Sequence, residues 1–386
     1  MHASKWLFLV ASFVTISLPA SPARAGPEVA PTGPVERYIS IDNVCAWPNL
    51  TVLRDGTIIA AIFNRPSHGL EAGMVEAWAS GDGRFWEKRG IVAPNEPNTT
   101  RMNVAAGLAG NGDLVVLCSG WSNQQQPGRQ KQIPFRDAIL PAWVCRSSDG
   151  GRTWTQDKEF VPPPKDWEAF VPFGDIVAGT DGALHASAIG VYYDPREAVR
   201  PRPPRVMQSW HFRSADDGRT WSATSVIGPT HNETFIHPLG GKRWLAVARE
   251  ESARAMDLFH SDDDGKTWGS PQRVTGRGEL NAHLLRLKDG RLLLSYGNRA
   301  EDRFGVLAKT SSDDGRTWSN PIRLVHSLKS DCGYPSSVQR PDGAIVTAYY
   351  SASTQNHTRY HMGVVIWNPP TVSNPSSPSP LVSFSP

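Results

Sequence analysis

Helical periodicity is missing from this chain of 386 residues. No long stretch repeats apolar residues at the 3.6-residue period, which excludes a helix bundle and argues against an α/β domain. A basic block is missing too. Forty Lys+Arg stand against 37 Asp+Glu, a net charge of +3, so nucleic acid is not an expected partner. The histidines are scattered and no Cys or His pairs show zinc spacing, so no metal or other cofactor is expected. Acidic runs such as Asp262-Asp263-Asp264 lack the ligand ladder of a calcium loop and read as turn caps. Long apolar runs are confined to the N-terminus. Lys5, the apolar Trp6–Leu18 and Ala23-Arg24-Ala25 read as a secretory signal over residues 1–25, cleaved after Ala25. The mature chain is then expected to be secreted or periplasmic, with no membrane span. Cysteine is scarce at four residues, which can pair in such a compartment.

What is abundant is turn chemistry: Gly 34, Pro 32 and Trp 14. One eight-residue phrase recurs as SSDGGRTW at 147–154, SADDGRTW at 214–221, SDDDGKTW at 261–268 and SSDDGRTW at 311–318, with a shortened SGDGRFW at 80–86. Asp and Ser side chains can cap nearby backbone N–H groups, Gly supplies a positive φ, and the closing Trp is an apolar anchor. Between the phrases lie six two-residue turns flanked by apolar strands, at Asp55-Gly56, Asn111-Gly112, Asp181-Gly182, Gly240-Gly241, Asp289-Gly290 and Asp342-Gly343. A repeat of this kind predicts an all-β fold, a six-bladed β-propeller of four-stranded antiparallel blades over residues 38–368. The Pro/Ser-rich stretch 369–386 reads as a disordered tail.

In a propeller the first strand of each hairpin lines the axis, and its N-terminal end opens on one face. Polar residues gather at those ends: Arg101, Asn103, Asp175, Asn232, Glu233, Glu279, Asn281, His283 and Tyr334. Second strands run antiparallel to first ones, so Arg249 and Arg299, just past the second strands of their units, share the same rim. Cys45-Ala-Trp-Pro48 and Cys332-Gly-Tyr-Pro335 occupy equivalent positions in the first and last units. This equivalence predicts a Cys45–Cys332 disulfide closing the ring, with Cys118–Cys145 inside the second unit.

The repeated phrases resemble the Asp boxes, or neuraminidase repeats, of the sialidase superfamily, whose catalytic fold is a six-bladed propeller; the resemblance covers roughly residues 40–368. Asn232-Glu233 followed by Arg249 at a strand end is similar to that family's Asn-Glu…Arg segment. The resemblance implies that Glu233 is the base activating a nucleophile and that Arg249 grips the substrate carboxylate. Tyr296-Gly-Asn-Arg299 resembles the position of another carboxylate-binding arginine, with Arg303 a nearby competitor. Tyr334-Pro-Ser-Ser resembles the segment bearing the nucleophilic tyrosine. A neutral tyrosine suits a sugar that carries a carboxylate at its anomeric carbon, where a carboxylate nucleophile would be repelled. Arginine suits the carboxylate because it binds in a bidentate fashion and keeps its charge. Two positions depart from the pattern. Ala46 stands where the family has its first arginine, for which Arg101 and Arg65 are the possible substitutes. The loop after the first unit's second strand has no acid/base aspartate, and offers Glu71, slightly favoured, or His68. The implied function is an exported exo-glycosidase, a glycoside hydrolase removing a terminal sialic acid or related acidic sugar from glycans with retention. A non-catalytic carbohydrate-binding propeller and a propeller lyase or hydrolase acting on uronic-acid polysaccharide are the alternatives.

Overall fold

The computed structural model describes residues 27–31, 33–123, 133–158, 160–165, 167–193 and 205–370. The stretch 1–25, expected to be a secretory signal, and nearly all of the expected tail lie outside them. Every regular element among the described residues is a strand. β1 (Glu36–Asp42) precedes a sheet of β2 (Ala46–Val52), β3 (Ile58–Phe63), β4 (Val75–Ser80) and β5 (Glu87–Ala93). Next come β6 (Thr99–Leu108), β7 (Leu114–Ser122), β8 (Ile139–Ser147) and β9 (Thr155–Asp157), then β10 (Trp167–Ala178), β11 (Leu184–Tyr193), β12 (Arg205–Ser214) and β13 (Ser222–Gly228). A further sheet holds β14 (His231–Gly240), β15 (Arg243–Glu250), β16 (Ala255–Ser261) and β17 (Gln272–Arg273). Another holds β18 (Glu279–Arg286), β19 (Leu292–Asn298), β20 (Gly305–Ser311) and β21 (Ile322–His326). The last combines β22 (Cys332–Gln339), β23 (Ile345–Ser351) and β24 (His361–Trp367) with β1 on its outer edge.

The architecture is an all-β, propeller-like array. Its sheet count differs from the six separate sheets expected from the turns: four sheets have four strands, and β6–β13 form one sheet of eight. The join is a short parallel pairing of the first strands β6 and β10, from Ala105↔Gly174 to Gly107↔Ile176. Glycine makes it possible, since a Cβ at Gly107 would lie 2.1 Å from the Ile176 carbonyl oxygen.

Each sheet, and each half of the eight-stranded one, packs its faces against its neighbours. Ile58, Ala60 and Ile62 of β3 meet Val346, Ala348 and Tyr350 of β23. On the other face of the same strand, Ile59 and Ala61 meet Val104, Leu114 and Val116. Burial on both faces explains why second strands carry unbroken apolar runs (IIAAIF in β3, LVVLC in β7) rather than alternating ones. The closing strand of the last sheet comes from the N-terminus: β1 pairs antiparallel with β24, Glu36↔Ile366 through Asp42↔His361.

The repeated phrases form the turns their composition implies. In each, the Ser Oγ accepts from a Gly N–H, as in Gly265 to Ser261 at 2.9 Å and Gly315 to Ser311 at 2.9 Å. The Asp carboxylate caps the Thr that follows, with Asp313 Oδ1 taking the Thr317 N–H at 2.8 Å and Oδ2 its hydroxyl at 2.6 Å. In four of the five phrases the Trp indole donates back to the Gly carbonyl, 3.0 Å from Trp318 to Gly315, whereas Trp268 donates to the Ser225 hydroxyl at 3.1 Å.

The expected disulfides are not formed. All four cysteines are free and buried. Cys118 faces Trp143 across the β7–β8 ladder and Cys145 faces Val116, so the two sulfurs are diagonal neighbours. Diagonal Cα atoms lie about 7–8 Å apart, beyond disulfide reach. The Cys332 thiol points to the carbonyls of Asn298 and Gly305.

Candidate functional site

One local device recurs in the first strands of the units. Their ladders slip by a bulge near the N-terminal end, between Ala46 and Asn49, Arg101 and Asn103, His231 and Thr234, Leu280 and His283, and Gly333 and Ser336. β10 slips at Phe173–Val177. A bulge re-aims a side chain out of the pleat. Here it turns Trp47, Glu233, Asn281 and Tyr334 toward a common centre. Ala46, Trp47, Asn281 and Tyr334 are held at positive φ (52°, 45°, 58° and 46°), strain that packed surroundings must sustain.

The bulges surround a cavity of about 200 Å³. Aromatic walls come from Trp47, Trp121, Phe173, Phe235 and Tyr334, with Asn49, Asn103, His68, Arg136 and Glu233 as polar groups among them. The Tyr334 hydroxyl donates to Glu233 Oε1. Glu233 Oε2 accepts from Arg249 Nη1 at 2.9 Å and from the Asn281 amide. Arg249 reaches Glu251 as well, at 3.1 Å. Arg299 lies over the Tyr334 ring, 5.5 Å from its centroid, and donates to the Cys332 carbonyl at 2.9 Å and the Tyr350 hydroxyl at 2.6 Å. Burial, then the Glu233 carboxylate, pushes the Tyr334 hydroxyl well above its usual range. It therefore rests neutral, with the Glu233 carboxylate as its hydrogen-bond acceptor.

The remaining sequence candidates are dispersed. Asn103 lines the cavity. Asp175 sits beside it, accepting from Asn49 at 3.1 Å and from His283 at 3.1 Å. Arg101 is fully buried away from the site: it grips Glu96, donates to the Pro141 carbonyl and lies over Trp143 at 3.7 Å. Arg65 is exposed, donating to the Ala72 carbonyl, and Arg303 is exposed. Neither of the two substitutes considered for the family's first arginine reaches the centre. Trp47 fills that side instead, packed on Phe63, His68, Tyr334 and Tyr350. His68 lines the cavity, whereas Glu71 does not.

Two residues escape sequence reasoning. Asp331, just ahead of β22, accepts from His68 Nδ1 at 2.9 Å and from the hydroxyls of Tyr350 and Tyr360. Arg136, from the β7–β8 connection, donates to the carbonyls of His68 and Gly69 at 2.9 and 2.7 Å. Asp331 had a signal in its place three residues before Tyr334. Arg136 had none. No group of three or more metal-ligating side chains gathers among the described residues.

The family of the BNR repeat-like domain matches residues 56–347. The chain belongs to this family. Solved structures similar to this BNR repeat-like chain agree on the fold. A protein of unknown function from Dyadobacter fermentans superposes with a TM-score of 0.73 at 20% identity, covering 87% of this chain and 99% of that one. A Hadza microbial sialidase gives 0.62 at 17% identity over 86% of this chain and 65% of its own. A Trypanosoma rangeli sialidase, caught as a covalent intermediate with 2,3-difluorosialic acid, gives 0.62 at 14% identity over 86% and 59%. The chain thus spans about two thirds or less of the sialidases it matches. No helix among the described residues is long and apolar enough to cross a membrane.

Proposed function

We propose that this chain is an exported retaining exo-glycosidase that removes a terminal acidic sugar, sialic acid or a close relative, from glycans. On this reading the two halves of the eight-stranded sheet count as separate blades, which makes the fold a six-bladed propeller. The observation that carries the reading is the Tyr334 hydroxyl seated on Glu233, with Arg249 on the far oxygen of the same carboxylate and Arg299 over the ring. Tyr334 attacks the anomeric carbon as Glu233 takes its proton, and the glycosidic C–O bond breaks as the aglycone oxygen is protonated. Water then attacks the glycosyl-tyrosine, and Glu233 returns the proton to the departing phenolate. Arg249 and Arg299 supply positive charge for the substrate's carboxylate and for the phenolate as it forms.

The test is turnover of a fluorogenic α-sialoside by the wild-type protein and by Tyr334→Phe. The expected result is retained stereochemistry and a loss of at least about 100-fold in kcat for the variant. Activity that survives the substitution would exclude the tyrosine nucleophile. A binding-only propeller is the second reading, favoured by Ala46 at the position of the family's first arginine, with Trp47 packed on that side, and by the aromatic walls of the cavity. It predicts glycan binding, with no turnover of any acidic glycoside.

A further inference from the structure

The loop after β3 holds both proton-donor candidates, and its backbone is gripped from the next unit. Arg136 donates to the His68 and Gly69 carbonyls at 2.9 and 2.7 Å, and the Gly69 N–H closes onto the Ser67 carbonyl at 2.8 Å. Gly69 has φ +65°, and a Cβ there would lie 2.5 Å from Met102 Sδ and 3.1 Å from the Arg136 guanidinium. The loop is therefore packed tightly onto Met102 and Arg136.

The side chain of His68 is gripped from the other side, by the last sheet. Its ring stands edge-on to Trp47, centroids 4.9 Å apart, and its Nδ1 lies 2.9 Å from Asp331 Oδ1. Burial works against the Asp331 charge, but hydrogen bonds from His68, Tyr350 and Tyr360 outweigh it and hold the carboxyl well below the usual range. An ionised Asp331 can only accept, so Nδ1 carries a proton. Nε2 is then the nitrogen left for the cavity that His68 lines.

We propose that His68 is the proton donor of the reaction above, and that Asp331 and Arg136 are its positioning residues, one fixing the ring and the other the backbone. Protonated His68 gives its Nε2 proton to the aglycone oxygen as the glycosidic bond breaks and Tyr334 bonds to the anomeric carbon. Neutral His68 then takes a proton from the water that cleaves the glycosyl-tyrosine, which restores the starting state. This assignment rests on the glycosidase reading and replaces Glu71, the other candidate.

The experiment compares two α-sialosides with the same sugar, one with an acidic phenol as leaving group and one with an alkyl alcohol. The phenol departs without help; the alcohol needs a proton. His68→Gln, Asp331→Asn and Arg136→Gln should each lose on the order of 10²–10⁴-fold in kcat on the alkyl substrate. The loss on the aryl substrate should be far smaller, KM should move little, and Arg136→Lys should recover part of the rate. Melting temperatures of the variants identify any that fail to fold. Equal losses on both substrates in folded variants would reduce the three residues to a structural role and overturn the assignment. A selective loss in Glu71→Gln but not in His68→Gln would overturn it as well. If the wild-type protein turns over neither substrate, the glycosidase reading itself fails and the assignment falls with it.

Discussion

Tyr334 and Glu233 sit 101 residues apart in sequence and are joined by a hydrogen bond in space. On the proposed mechanism a neutral Tyr334 depends on a base that stays close. Glu233→Gln should lower kcat by about 10²–10⁴-fold while glycan binding survives, measured by steady-state kinetics alongside calorimetric binding. A fall in affinity with kcat intact would assign Glu233 to binding instead. Glu233 and Arg249 were legible as a pair because they lie on one hairpin, at the start of β14 and near the end of β15. Arg136 and Asp331 were not, because each reaches His68 from a different sheet, and no local pattern encodes that meeting. A second pair of residues contributes to the pH dependence of stability. His185 Nδ1 and His211 Nε2 stand 3.0 Å apart with rings stacked, among Trp244, Trp268, Asp181, Arg213 and the Gly265 carbonyl. Burial, then the neighbouring His185, pushes His211 down to about 3 from an ordinary 6.5, and burial lowers His185 too. Between those two values the unfolded chain binds protons that the folded chain refuses, so stability falls as pH drops through that window. The urea midpoint of the wild-type protein should decline from pH 6.5 toward 4, and His211→Gln should flatten that decline. An unchanged slope would exonerate the pair.

At the scale of single elements, strands and turns were legible because their causes are local. The Ser-x-Asp-x-Gly-x-Thr-Trp turns close on themselves through bonds between residues two to four apart, so composition alone announces them. Asp313→Ala removes the cap on Thr317 and should cost about 1–2 kcal/mol, seen as a lower urea midpoint with activity unchanged at saturating substrate. The merging of two units into one sheet was not legible, since it depends on how closely β6 and β10 approach at the axis. Gly107 is the control point. Alanine there must push the Ile176 carbonyl aside from 2.1 Å, breaking the parallel pairing beside Asp175 and the cavity wall. Gly107→Ala should lower the melting temperature by several degrees or more, whereas alanine at Gly56, where a Cβ meets nothing, can cost only the strain of its positive φ. Equal effects at the two glycines would mean that the seam is soft.

For the whole molecule, the expectation from sequence lacked the strand that closes it. The last unit has no terminal phrase of its own, and nothing in residues 36–42 advertises that they pair with residues three hundred positions away. The structure gives that segment a lacing role. Val29 bridges to Ile322, and Glu28 pairs with Arg323 at 2.6 Å, fixing the chain to β21. β1 then lies along β24 in the last sheet. From there Glu36 takes two hydrogen bonds from Arg84, at 2.7 and 2.8 Å, in the shortened phrase that ends the first sheet's β4. Three sheets are thus joined by one segment, from Glu28 to Asp42, and the edge of β24 is covered. The cavity depends on this closure, since Trp47 and His68 come from the first sheet and Tyr334 and Asp331 from the last. A chain begun at Asn43 should therefore lose the His68–Asp331 contact and its activity, expose the β24 edge, and associate in solution, as read by light scattering. Glu36→Gln is the milder test: it weakens the clasp without removing the strand, and its effect on the melting temperature should shrink as salt is raised. A truncated chain that stays monomeric and binds glycan as well as the full chain would show that the remaining sheets hold the site without the N-terminal strand.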